Sequence, residues 1–172
     1  KFFPGNRYEI EPVSDIKEGG RLLISGPNIM LGYLSKELGE IIPPPHGWHD
    51  TGDIVSVDGE GYLTIKDRVK RFAKISGEML SLTAIENKIY ELWPDKYHAL
   101  FSVPDAKKGE QLILITGYQC ATRSLLIKAF KELGLSELSL PRKIYFMDNM
   151  PLLGSGKVDY RAVKEWLKKT LM

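Results

Sequence analysis

The punctuation of this chain changes once, near Asp67, and that change limits its possible folds more than any other feature. Before it, short segments such as Tyr8-Glu9-Ile10-Glu11 and Arg21-Leu22-Leu23-Ile24-Ser25 alternate or run apolar between Gly and Pro breaks. No stretch there keeps a helical period. Pro43-Pro44-Pro45 predicts a stiff extended connector, and Trp48 to Val57 with Tyr62 to Ile65 predicts two strands joined through Asp58-Gly59-Glu60-Gly61. Residues 1–67 are therefore expected to form a β-rich, partial barrel-like segment.

From Asp67 the pattern differs. Arg68-Val69-Lys70-Arg71-Phe72-Ala73-Lys74-Ile75 alternates basic and apolar residues, and Ser76-Gly77-Glu78 turns the chain. A domain boundary is placed at residues 67–70, with 68–172 as a second domain. Either Ser81 or Thr83 can cap a helix reaching about Trp93; Thr83 and Glu86 have capping-box spacing, and Ile85, Ile89, Leu92 and Trp93 share one face. Pro94 ends it. Strands are expected over Ala99–Val103 and Gln111–Thr116, then a helix from about Thr122 stopped by Gly134, then a strand over Lys143–Met147. Asp159 can cap a last helix that buries Val163, Trp166 and Leu167. Elements in this order predict a small α+β domain, with helices packed on a three-stranded sheet.

Composition removes several classes of function. With 172 residues and 43% hydrophobic content the chain can bury a core of its own, and 24 Lys and Arg against 22 Asp and Glu leave only +2. That balance, and the lack of aromatic residues among the cations beyond Phe72, argue against a nucleic-acid partner. Cys120 is the single cysteine, so no internal disulfide forms. His46, His49 and His98 have no metal-ligand spacing, and no metal site is expected in the chain. No apolar run approaches the roughly 18 residues of a membrane span, and the chain reads as a soluble piece of something longer.

A few residues have the chemistry of a site, each with a plainer reading beside it. In Leu152-Leu153-Gly154-Ser155-Gly156-Lys157 the glycines free the backbone to carry an ammonium close to a ligand; equally, this is a surface loop with a solvated lysine. Asp53 offers two acceptor oxygens, or simply follows a turn at Thr51-Gly52 that Asp50 shapes. Arg68, Lys70, Arg71 and Lys74 form a basic run that also reads as the solvated face of a hairpin. Lys164, Lys168 and Lys169 on the last helix can touch anionic lipid or face water.

Taken together, Trp48-His49-Asp50-Thr51-Gly52-Asp53, Asp67 to Glu78 and the Lys157 loop resemble, in order and spacing, the later core motifs of the AMP-forming adenylating superfamily, which includes acyl-CoA synthetases, luciferases and peptide-synthetase adenylation domains. Upstream, Glu18-Gly19-Gly20-Arg21-Leu22 and Gly32-Tyr33 resemble the family's Gly-Glu-Leu segment and Gly-Tyr pair. Phe72 to Leu82 and the Lys157 loop look most like the acyl-[acyl-carrier-protein] synthetase part of the bifunctional 2-acylglycerophosphoethanolamine acyltransferases.

The resemblance implies roles. Lys157 would be the catalytic cation between an acyl carboxylate and the α-phosphate of ATP, where preorganised charge lowers the barrier most. Asp53 would hold the ribose, and Arg68 would lie near ribose and phosphates. Lys70 falls at the hinge position. Gly77 would let a phosphopantetheine arm pass, with Lys74 and Arg71 suited to an acidic carrier protein or to the phosphates of coenzyme A. The small domain would turn about the hinge to serve both half-reactions. ATP with Mg²⁺ is the implied cofactor of the full-length protein, whose phosphate loop and metal-holding segment lie outside residues 1–172. The implied partners are a fatty acid, acyl carrier protein or coenzyme A, and a lysophospholipid reacylated elsewhere, at the cytoplasmic side of a bacterial inner membrane. A fragment of this kind is expected to be inactive alone, and a carrier-binding module without catalysis is the alternative of another class. Two departures stand out. Asp67-Arg68 replaces the usual Gly-Arg, and Leu152-Leu153 stands where Arg-Thr is common.

Overall fold

Antiparallel pairing accounts for the first part of the chain. Its strands are β1 (Arg7–Glu11), β2 (Gly20–Ser25), β3 (Tyr33–Leu34), β4 (Ile41–Ile42), β5 (His49–Val57) and β6 (Leu63–Arg68). In this computed structural model, which describes residues 1–14, 16 and 18–171, they form an open four-stranded sheet in the order β1-β2-β5-β6 and a separate β3–β4 ribbon. The β5–β6 hairpin is the one expected, its turn held by Asp58 Oδ1, which accepts from the amides of Glu60 at 3.0 Å and Tyr62 at 2.8 Å. Leu22, Ile54 and Val55 are the buried apolar residues of the four-stranded sheet. The proline run is extended only in part: Pro45–Gly47 closes a single 3₁₀ turn in which His46 takes φ 53°.

The chain divides into two compact units, Lys1–Arg71 and Phe72–Met172. The second contains β7 (Phe72–Ile75), β8 (Glu78–Ser81), α1 (Leu82–Leu92), β9 (His98–Asp105), β10 (Gly109–Thr116), α2 (Arg123–Glu132), a 3₁₀ turn at Glu137–Ser139, β11 (Lys143–Phe146) and α3 (Tyr160–Leu171). The mixed α+β class is as expected. The three predicted strands are β9, β10 and β11, with β10 antiparallel to β9 and parallel to β11. The β7–β8 hairpin joins them where Ile75 faces Gly109, giving a five-stranded sheet instead of three.

The helices start where a side chain can satisfy their free amides. Ser81 caps α1 by accepting from the Ala84 amide, and Thr122 caps α2 by accepting from that of Leu125. Asp159 Oδ1 does the same for Arg161 and Ala162 at the start of α3. Of the two caps weighed for α1, Ser81 is the N-cap; Glu86 accepts a 2.6 Å hydrogen bond from the Tyr160 hydroxyl.

Side-chain alternation splits the core of the second unit into two layers. Leu112 and Leu114 of β10, with Leu100 of β9, pack with Ile85 and Ile89 of α1 and Leu126 and Phe130 of α2. Ile113 and Ile115, with Ala99 and Phe101, pack on the other side with Val163 and Leu167 of α3. Neighbours in sequence thus face opposite layers, and a one-residue slip of β10 would exchange them. No helix among the described residues is long and apolar enough to cross a membrane.

Candidate functional site

The backbone of β5 is shaped around Asp53. Leu23 faces Asp50 and Arg21 faces Ile54, so Leu22 of β2 opposes Thr51, Gly52 and Asp53 of β5. The surplus residues form a bulge, a device that redirects side chains out of the ladder. Gly52 takes φ +69° there, a conformation an L side chain rarely adopts. The Thr51 hydroxyl donates to the Leu22 carbonyl at 2.9 Å and accepts from the Asp53 amide at 3.1 Å, and Asp50 Oδ1 accepts from the Gly52 amide at 2.9 Å.

Asp53 faces Arg68 across the β5–β6 pair, and Arg68 Nε lies 2.6 Å from Asp53 Oδ1. The carboxylate is only 16% exposed and the guanidinium 67%, so the acid is held in place while most of the arginine's donors face outward. The sequence reading missed Thr51 as the brace of the bulge and Arg21 as the anchor of Asp50, 3.4 Å away. Arg21 also pairs with Glu11, and both carboxylates raise its pKa above the ordinary arginine value, the hydrogen bond to Glu11 most. The turn spacing Asp50-Thr51-Gly52 was the available signal for Thr51; Arg21 had none, because its partners lie on other strands.

Asp67, standing where the family usually has glycine, lies in β6 beside a register shift that leaves Lys66 unpaired in the ladder, with its side chain buried and its Oδ1 accepting the Arg68 amide at 2.7 Å. Nothing in its backbone calls for glycine. The basic run does not form one hairpin face. Arg68 belongs to β6, Lys70 and Arg71 to a 3₁₀ turn over Val69–Arg71, and only Lys74 lies in the β7–β8 hairpin. Three residues expected to serve the thiol carrier are therefore split, with Arg71 in the first unit and Lys74 and Gly77 in the second.

Gly77 sits at the hairpin tip. Ile75 pairs with Glu78 around a two-residue loop in which Ser76 has φ 52° and Gly77 φ 88°, the positive pair a type I′ turn demands. A Cβ at Gly77 would meet nothing within 4 Å, so its outer side is open. The turn is fixed by the Ser76 amide, which donates to the Lys108 carbonyl at 2.9 Å, and the Lys74 amide donates to Glu110 at 2.6 Å.

Lys157 occupies a separate small hairpin. Leu152 bridges Val158, and the Leu153 amide donates to the Lys157 carbonyl at 2.8 Å, leaving the lysine side chain exposed with no ion pair among the described residues. Met150 and Val158 anchor the loop in the α3 layer, whereas Ala73 and Ile75 root the Gly77 hairpin in the α1 and α2 layer. Of the loop's two glycines only Gly156, at φ +79°, takes a conformation reserved for glycine. Among the described residues no His, Cys, Asp and Glu cluster could hold a metal ion.

No family model matches the chain. It is 32% identical to Enterobactin synthase component E of Escherichia coli (strain K12) over 152 residues, 87% of this chain and 28% of the relative. It is 30% identical to 2,3-dihydroxybenzoate-AMP ligase of Bacillus subtilis (strain 168) over 163 residues, 92% of this chain and 30% of the relative. The relatives of this chain are AMP-forming acyl and aryl ligases of the adenylate-forming superfamily. The fold agrees with them. ATP-bound MatB from Rhodopseudomonas palustris superposes with a TM-score of 0.73 at 23% identity, over 98% of this chain and 35% of that structure. The o-succinylbenzoate CoA synthetase MenE of Bacillus subtilis, in complex with its acyl-adenylate intermediate, gives 0.68 at 24% identity, over 94% of this chain and 34% of that one. The chain spans under a third of the length of these two curated adenylate-forming relatives.

Proposed function

We propose that this chain is the C-terminal end of an ATP-dependent, adenylate-forming acyl ligase, with residues 1–67 finishing its large domain and 68–172 forming a mobile lid. The observation that carries the reading is Asp53, raised on a braced bulge and held against the exposed guanidinium of Arg68. A fixed carboxylate, with two acceptor oxygens, suits the neighbouring hydroxyls of a ribose. Arg68 can turn its remaining donors toward phosphate.

In this reading the acyl carboxylate attacks the α-phosphorus of ATP, the bond to the bridging oxygen breaks, and pyrophosphate leaves. Lys157 stabilises the charge that builds between the two anions. A thiol then attacks the acyl carbonyl and AMP departs, with Gly77 leaving room for the arm and Lys70 at the hinge between the two arrangements. Mg²⁺ would accompany ATP on residues outside this chain. The same reading makes the 172 residues alone inactive; pyrophosphate release by the isolated chain would overturn that.

For the acceptor we read an acyl carrier protein, with the acyl group passing to a lysophospholipid in an acyltransferase region outside this chain, at the cytoplasmic face of a bacterial inner membrane. A second reading, coenzyme A as acceptor, is favoured by relatives named feruloyl-CoA synthase (Amycolatopsis sp., 29% identical) and oxalate–CoA ligase (Arabidopsis thaliana, 31%). Thioester formation by the full-length protein with each acceptor separates the two. For the chemistry itself, Lys157→Ala in the full-length protein should abolish ATP–pyrophosphate exchange while sparing thioester formation from preformed adenylate. Equal loss of both steps rejects the assignment.

A further inference from the structure

A cavity of about 620 Å³ opens between α2, the Glu137–Ser139 turn and the loop from β9 to β10. Its floor is apolar, built from Ile127, Phe130, Leu135 and Leu138. A hollow of about 370 Å³ shares Lys108, Arg123 and Leu140 with it and continues to Gln111 and Arg142. Ile127 is 44% exposed at this opening, an apolar side chain left uncovered. The volume lies within the roughly 300–1,000 Å³ of small-molecule pockets.

Charge at the rim narrows the ligand. Lys107, Lys108, Arg123 and Lys131 edge the two hollows, and none of them makes an ion pair among the described residues. Arg142 is already taken by Asp105 at 3.0 Å, and the rim carboxylate of Glu110 accepts from the Lys74 amide. Glu137 is the other carboxylate there and pairs with no cation. Three cations, Lys108, Arg123 and Lys131, against one carboxylate, Glu137, leave the larger hollow with a positive excess that favours an anion, and the three oxygens of a phosphate dianion can accept from several donors at once.

We propose that this cavity binds a soluble phosphate monoester with an apolar body: the phosphate against Lys108, Arg123 and Lys131, and the body on the Ile127, Phe130, Leu135 and Leu138 floor. Its lining includes none of Asp53, Arg68, Lys70, Arg71, Lys74, Gly77 or Lys157, so it stands or falls apart from the function proposed above.

The test is calorimetric titration of the whole chain with decyl phosphate below its micelle concentration, beside decanol and inorganic phosphate. Decyl phosphate should bind one-to-one, and each half-probe at least about tenfold more weakly. Arg123→Gln with Lys131→Gln, both on the exposed surface of α2, should weaken binding about tenfold or more, as should Ile127→Asp, while the melting curves stay cooperative. Lys164→Gln with Lys168→Gln on α3 should leave affinity within about twofold. Equal binding of inorganic phosphate or of decanol overturns the proposal, as does affinity indifferent to the α2 changes. Binding seen only to phosphatidate vesicles also overturns it, and assigns the surface to a membrane.

Discussion

Arg68 Nε lies 2.6 Å from Asp53 Oδ1 across paired strands, joining the last residue of β6 to a bulge in β5. Because the arginine is two-thirds exposed, the pair adds little to stability, of the order of 0–1 kcal/mol. Its value is orientation. In the full-length protein Asp53→Asn should therefore leave the melting temperature nearly unchanged yet raise KM for ATP. Loss of hydrogen bonds to a charged acceptor is worth about 1.5–3 kcal/mol, or roughly 10–100-fold. Steady-state kinetics at varied ATP checks this, and an unchanged KM would return Asp53 to the status of a turn residue.

The bulge itself shows where sequence reading stops. Strands, the Ser76-Gly77 turn, the helix start near Thr122 and the cap at Asp159 were legible because each depends on residues within a few positions of one another. The surplus of β5 over β2 was not, since register between segments about 30 residues apart is set by packing on Leu22 and Ile54. The β7–β8 hairpin likewise joins β10 through a register pair at Ile75 and Gly109, which no local pattern encodes. Glu86 is the sharpest case. Its spacing from Thr83 suggested a cap, and no local pattern reveals its burial or its hydrogen bond from Tyr160, 74 residues on.

That contact gives a stability prediction. Glu86 is 3% exposed, and Tyr160→Phe removes a donor from a buried carboxyl group while keeping the ring against Phe101. Losing one hydrogen bond to a buried carboxyl group costs about 0.5–3 kcal/mol. The urea midpoint should fall accordingly with the slope unchanged. Glu86→Gln should soften the loss when combined with Tyr160→Phe; a double variant as unstable as the sum of the singles would mean the two do not interact.

His98 predicts a pH dependence. It is fully buried; its Nε2–H donates to the Trp93 carbonyl at 2.9 Å, and its Nδ1 lies 2.9 Å from Oγ1 of Thr116, which accepts from the Tyr118 amide at 3.0 Å. The neutral ring therefore accepts the Thr116 hydroxyl proton. Desolvation lowers its pKa below the ordinary 6.5, opposed in part by the bond to Trp93. Between the two values the unfolded chain binds more protons, so stability rises with pH there. The His98 contribution should be complete above about pH 6.5 and lost progressively below it, down through the folded value. Urea melts at pH 7.5 and 5.5 should separate, and His98→Gln should flatten the difference. An unchanged slope in that variant would assign it to another group.

Gly77 lets backbone need be separated from ligand need. At φ 88° an L side chain is strained although its Cβ would touch nothing, so Gly77→Val should destabilise the chain by about 1–2 kcal/mol through conformation alone. Asn tolerates the left-handed region, and Gly77→Asn should recover most of that loss. Thioester formation in the full-length protein should respond differently. If a phosphopantetheine arm passes close to this turn, Asn restores the fold and still obstructs the arm, so thioester formation from preformed adenylate falls while ATP–pyrophosphate exchange holds. Recovery of both stability and thioester formation in Gly77→Asn would make the glycine a turn residue only, and would remove it from the candidate site.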